Sequence, residues 1–121
     1  MMHRVTDLDT LVAEWITLPE LADRLGRDIS YARQLVNDRH VLAVRREPGT
    51  PLLVPAAFVA GGAVLKGLPG LLTVLADAGY GDEAALRWLF TEDPSLPGSP
   101  VQALTENRGT EVKRRAQAMA F

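Results

Sequence analysis

Between Thr17 and Asp38 the chain spells two short helices with almost nothing between them. Thr17-Leu18-Pro19-Glu20 is a capping box: a hydroxyl at the cap, a carboxylate three residues on, and a proline in the first turn. Leu18, Leu21, Ala22 and Leu25 then share one face, and Gly26 stands where a helix ends in the left-handed conformation. Asp28 or Ser30 caps a second helix that runs to about Asp38, with Ala32, Leu35 and Val36 as its apolar positions. Ser30, Arg33, Gln34 and Asn37 recur at i, i+3, i+4, i+7 and form a separate polar face. Two short helices joined around a glycine predict a helix-turn-helix.

The period changes immediately afterwards. Residues 41–46 read as a strand, Glu47-Pro48-Gly49-Thr50 as a turn, and residues 51–55 as the returning strand. Prolines at both of its ends place that strand at a sheet edge. A hairpin in this position is a wing. Upstream, residues 6–15 read as a short helix, capped by Thr6, with Leu8, Leu11, Val12 and Trp15 on one core-facing stripe. Downstream, residues 56–60 read as a small helix, and Gly61-Gly62 as a joint.

The second half is helical. Leu71, Leu72, Val74, Leu75 and Ala78 belong to one helix that closes at Gly79. Asp82 caps the next, with Ala85, Leu86, Leu89 and Phe90 inward. Residues 91–98 form a loop, Ser99 caps a short helix over 100–106, and a last helix spans about 110–120 with Val112, Ala116 and Met119 apolar. The expected fold is mainly α: a winged helix-turn-helix with a two-stranded β wing plus a C-terminal helical module. The expected division is an arm over 1–16, the winged unit over 17–61 and the module over 62–121.

Composition removes most chemistry. The chain has no cysteine, so disulfides, thiolate metal sites and cysteine nucleophiles are excluded. His3 and His40 share no element with a second ligand at metal spacing. Gly61-Gly62 and Gly67 to Gly70 lack the Lys-Ser/Thr of a phosphate-binding loop, and Gly98-Ser99-Pro100 lacks the second glycine of a nucleophile elbow. No catalytic residue, cofactor site or metal site is expected, and the chain does not read as an enzyme. No apolar run approaches the roughly 18 residues of a membrane span, and acids stand early in the N-terminus, so a cytoplasmic, nucleoid-associated protein without a membrane partner is expected.

A formal net charge of −2 argues against bulk nucleic-acid affinity, but the charge is unevenly spread. Residues 18–46 hold six arginines (Arg24, Arg27, Arg33, Arg39, Arg45, Arg46) against four acids (Glu20, Asp23, Asp28, Asp38), a window of +2 over the helix-turn-helix and wing. Arg33, Gln34 and Asn37 are side chains that can bond base edges, Ser30 and Tyr31 sit at the helix start, and Arg45 and Arg46 at the wing base can reach phosphate or the minor groove. Double-stranded DNA is the expected partner. So modest a local charge makes a homodimer, or tandem sites, the expected route to useful occupancy.

Several stretches are familiar. Thr17 through Gly26, Tyr31-Ala32-Arg33-Gln34-Leu35-Val36 and Ala43-Val44-Arg45 resemble the MerR/excisionase-like winged helix-turn-helix class, which places its second helix in the major groove. Arg27 stands where that class usually has a small apolar residue, and Arg39 where it often has glycine. Lys66-Gly67-Leu68-Pro69-Gly70-Leu71-Leu72-Thr73-Val74-Leu75, Arg87-Trp88-Leu89-Phe90-Thr91, Asp93-Pro94-Ser95-Leu96 and Arg114-Arg115-Ala116-Gln117-Ala118-Met119-Ala120 closely resemble an actinobacterial winged-helix DNA-binding family. Its mycobacterial member is a substrate of a membrane serine/threonine protein kinase. The resemblance therefore implies DNA binding, transcription regulation and a kinase partner; the N-terminal extension phosphorylated in that member does not match residues 1–15, so its site is not carried over to Thr6 or Thr10, the threonines available in the arm. Trp88-Leu89-Phe90-Thr91, Asp93-Pro94-Ser95-Leu96, Ser99-Pro100-Val101 and Val112 also resemble, more weakly, the toxin-binding domain of Xre/MbcA/ParS-type antitoxins. Two alternatives stand beside the regulator: a protein-interaction module carried by Trp88, Phe90 and Leu96, and an excisionase-like architectural DNA binder.

Overall fold

The computed structural model describes Leu8, residues 10–93 and residues 98–118. Its elements are β1 (Trp15–Thr17), α1 (Leu18–Leu25), α2 (Ile29–Asn37), β2 (Leu53–Pro55), a single 3-10 turn (Ala56–Phe58), β3 (Val59–Ala60), β4 (Ala63–Val64), α3 (Leu68–Asp77), α4 (Asp82–Phe90), α5 (Pro100–Thr105) and α6 (Gly109–Ala118). The fold is mainly helical, with a small antiparallel wing and C-terminal helices, as the sequence implies.

The capping box starts α1 as written: Glu20 N–H donates to Thr17 Oγ1 at 3.3 Å, and Thr17 N–H donates back to Glu20 Oε1 at 2.8 Å. The helix ends in a Schellman motif. Gly26 adopts φ 67°, its N–H bonds Asp23 O, and Arg27 N–H bonds Ala22 O at 2.9 Å. The same pair of bonds closes α2 at Arg39 (φ 57°), α3 at Gly79 (φ 93°) and α5 at Asn107 (φ 64°). Arg39 alone of these four is neither glycine nor asparagine, and in the left-handed region its side chain costs about 1 kcal/mol.

The arm departs from expectation. The chain is helical at Leu8, Thr10 and Leu11, and Val12 N–H donates to Leu8 O at 2.7 Å. Trp15 is not on that helix. It opens β1, which pairs antiparallel with β2 in the register Trp15 with Pro55, Ile16 with Val54 and Thr17 with Leu53. Pairing supplies backbone partners to Ile16 and Val54, and both side chains are buried. Thr6, the expected cap of the arm, lies outside the described residues.

The wing is shorter than expected, and β2 is not an edge strand. Of residues 41–46 only Val44 pairs, exchanging both backbone bonds with Leu53 at 2.9 and 2.8 Å. Leu53 thus faces Val44 while Val54 faces Ile16, so β2 runs between the wing and β1. Pro55 is tolerated because alternate residues point their N–H groups to opposite sides. Its missing donor falls on the Val44 side, away from β1. The predicted helix over 56–60 is only the 3-10 turn, and Gly61-Gly62 is the tip of a second hairpin rather than a joint. Both glycines have positive φ (61° and 80°), the pattern of a two-residue turn whose twist matches its strands.

Asp82 is the first residue of α4, with Gly81 at the cap. Residues 119–121, the expected end of the last helix, lie outside the described residues, as does Leu96. One apolar core joins both halves: Leu21, Leu42 and Phe58 from the first and Leu68, Leu71, Leu72, Leu75, Leu86 and Leu89 from the second are all essentially fully buried. The rings of Phe58 and Phe90 meet across it, centroids 5.8 Å apart.

Candidate nucleic-acid interface

Helix α2 is seated by its apolar face. Ala32 and Leu35 are buried against the core, while Ser30, Arg33, Gln34 and Asn37 are exposed together on the other side. Asp28, not Ser30, is the cap: its carboxylate accepts Tyr31 N–H at 3.0 Å. The Ser30 hydroxyl is left in the exposed first turn. Tyr31 is half-buried, and the Arg27 guanidinium stacks over its ring at 3.9 Å from the centroid. Sequence reasoning passed over Arg27 as a site residue. Its i, i+4 spacing to Tyr31 across the turn was the available signal.

Gln34 Nε2 donates to Asp38 Oδ1 at 2.9 Å, one turn along α2. That bond fixes the amide orientation and leaves the carboxamide oxygen as an acceptor. Asn37 is exposed on the same face one turn from Arg33.

The wing tip is closed locally. Thr50 N–H donates to Glu47 O at 3.1 Å, and Glu47 N–H donates to Thr50 Oγ1 at 3.2 Å. Arg45 Nη1 donates to Thr50 O, so this guanidinium braces the turn with one of its five N–H groups. Arg45 and Arg46 are both exposed. The sequence-derived residues therefore fall in two groups on separate elements: a polar face on α2, and two arginines at the start of the wing.

Arginines of the basic window divide by role. Arg24 pairs with Glu14 at 3.3 Å and Arg39 with Asp82 at 2.8 Å, both with acids from outside the window. These exposed pairs are worth at most about 1 kcal/mol each, but they direct two of the six cations toward the protein. Arg27, Arg33, Arg45 and Arg46 lie around the start of α2 and the wing. Among the described residues no group of three or more His, Asp or Glu side chains could hold a metal, and no helix is long and apolar enough to cross a membrane.

Comparison with known proteins decides the family. Residues 6–59 match the family described as "DNA-binding protein Rv2175c, wHTH domain", and residues 65–120 match "Rv2175c C-terminal domain of unknown function". The chain is 45% identical over 117 residues to the DNA-binding protein Rv2175c of Mycobacterium tuberculosis, covering 86% of this chain and 79% of that one. This chain belongs to the Rv2175c family. The NMR structure of Rv2175c superposes with a TM-score of 0.78 at 41% identity, covering 89% of this chain and 82% of that one. The Rv2175c family pairs a winged helix-turn-helix domain with its own C-terminal domain, and both are present here in the same order. The match across residues 65–120 bears out the actinobacterial resemblance of the second half.

Proposed function

We propose that this chain is a DNA-binding transcription regulator that inserts α2 into the major groove and lays the wing along the phosphate backbone. The carrying observation is the division of α2: Ala32 and Leu35 seat it in the core while Ser30, Arg33, Gln34 and Asn37 all project from the exposed side. That is the arrangement a reading helix needs, a rigid apolar base under a row of groups able to bond base edges. Membership of a family named for DNA binding supports it. In this reading Arg45 and Arg46 contact phosphates, residues 17–61 carry the DNA contacts, and residues 62–121 support them. With a basic window of only +2, binding is weak for one copy and gains from pairing two copies on adjacent half-sites.

The test is binding of the Arg33→Ala/Gln34→Ala double variant to genomic fragments at fixed salt. Loss of sequence preference, with about 1–3 kcal/mol lost at the cognate site for each base contact, is expected. Unchanged affinity and preference would overturn the assignment of α2.

A further inference from the structure

The chain contains two lysines, Lys66 and Lys113, far apart in sequence. Both line one cavity of about 480 Å3, together with Gly67, Gly70, Asn107, Gly109 and Thr110. We propose that this cavity binds a small phosphate-bearing anion, such as a phosphorylated metabolite.

Four observations support it. Among the described residues that line it, none carries a carboxylate. Among the described residues neither lysine is ion-paired, and the acids nearest Lys113 in sequence, Glu106 and Glu111, are both held by Arg108, at 2.7 and 3.5 Å. The Arg108 bond also holds the Glu106 carboxyl below its ordinary range, so Glu106 stays ionised and committed to that partner. Three of the seven lining residues, Gly67, Gly70 and Gly109, are glycines, so backbone rather than side chains forms much of the wall. The lining includes residues from the first turns of α3 and α6, both ten residues long, so the partial positive charges of two helix starts add to the two ammonium groups.

A concave site of this volume matches a small ligand rather than a DNA strand, which is met by projecting side chains. Lysine presents its ammonium as a point charge, suited to phosphate without the planar geometry that arginine imposes. The inference is independent of the DNA-binding reading, since none of the residues proposed to contact DNA lines the cavity.

The experiment is an amide NMR titration of the full chain with inorganic pyrophosphate, with ionic strength held constant by sodium chloride. Saturable shifts confined to Lys66, Gly67, Gly70, Gly109, Thr110 and Lys113 are expected. Lys66→Ala/Lys113→Ala is expected to weaken binding by about tenfold or more per lysine removed. Gly70→Glu provides a second variant that keeps the fold: a Cβ there meets nothing within 4 Å among the described residues, and a carboxylate in the first turn suits the helix while repelling the anion. Non-saturating shifts, shifts centred on Arg33, Arg45 and Arg46, or unimpaired binding by both variants would overturn the proposal. So would a DNA affinity lowered by the lysine variant in a protein that takes up no pyrophosphate, which would make the lysines contacts to the DNA backbone.

Discussion

Arg39 Nη1 lies 2.8 Å from Asp82 Oδ1, so the residue that ends α2 is tied to the residue that begins α4. Arg39 holds a left-handed backbone that glycine would adopt without strain. The ion pair offsets part of that cost, and it also places Asp82 where a first-turn carboxylate suits the helix start. A position that glycine could fill more cheaply is thereby used to join the two halves of the chain.

Three substitutions separate these effects. Arg39→Ala keeps the left-handed strain and loses the pair, so it should destabilise by up to about 1 kcal/mol. Arg39→Gly loses the pair but relieves the strain, and should leave stability within about 0.5 kcal/mol of the parent. Asp82→Asn should resemble Arg39→Ala, with less effect at high salt. Urea unfolding at two salt concentrations reads all three.

Because Phe58 and Phe90 share one core with Leu21, Leu42, Leu72 and Leu89, the two halves should unfold together. Trp15 lies in the first half and Trp88 in the second. Urea transitions followed through each tryptophan alone, in Trp88→Phe and Trp15→Phe backgrounds, should each match the transition seen by circular dichroism in the same variant. Phe58→Ala should cost about 3–5 kcal/mol and shift both probes equally.

The capping box carries a pH signature. The Thr17 backbone N–H, followed by its hydroxyl, holds the Glu20 carboxyl below the ordinary value of 4.5. The folded chain therefore binds this proton less tightly than the unfolded chain. The resulting stabilisation is complete above the unfolded value and is lost as pH falls through the lower, folded one. Stability of the parent should fall over that acid window more steeply than stability of Glu20→Gln. Independently, Thr17→Ala should cost about 1 kcal/mol at neutral pH, read by thermal unfolding.

The two wing arginines should separate in a salt series. Arg46→Ala should weaken DNA binding evenly across sequences and reduce the salt slope by about 0.9. Arg45→Ala should do the same and, by releasing the Thr50 carbonyl, also raise the mobility of the turn at residues 47–50. Amide relaxation across that turn, compared between the two variants, distinguishes the effects.

Much of the helical framework was legible because its signals are local. Thr17 and Glu20 meet within one turn, Gly26 and Gly79 need no distant partner to end a helix, and the spacing of Ala32, Leu35, Ser30, Arg33, Gln34 and Asn37 places them on opposite faces by geometry alone. The polar face of α2 could be read for the same reason. Strands were less legible because their bonds join distant residues. Ile16 pairs with Val54, and nothing within residues 6–17 distinguishes the end of a helix from a strand awaiting that partner. Gly61-Gly62 looks like a joint until residues 59–60 and 63–64 are seen to pair across it.

By itself, then, the sequence determined where α1 begins and ends and that Gly79 closes α3, which side of α2 is polar, and that the net charge conceals a basic window. Those properties depend on residues within a few positions of one another. Only the tertiary structure decided that β2 lies between the wing and β1, that Arg39 is held by Asp82, that Arg45 braces its own turn, and that Lys66 and Lys113 line one cavity. Each of these depends on how the chain packs back on itself, because the local backbone leaves open which exposed side chains will find a partner.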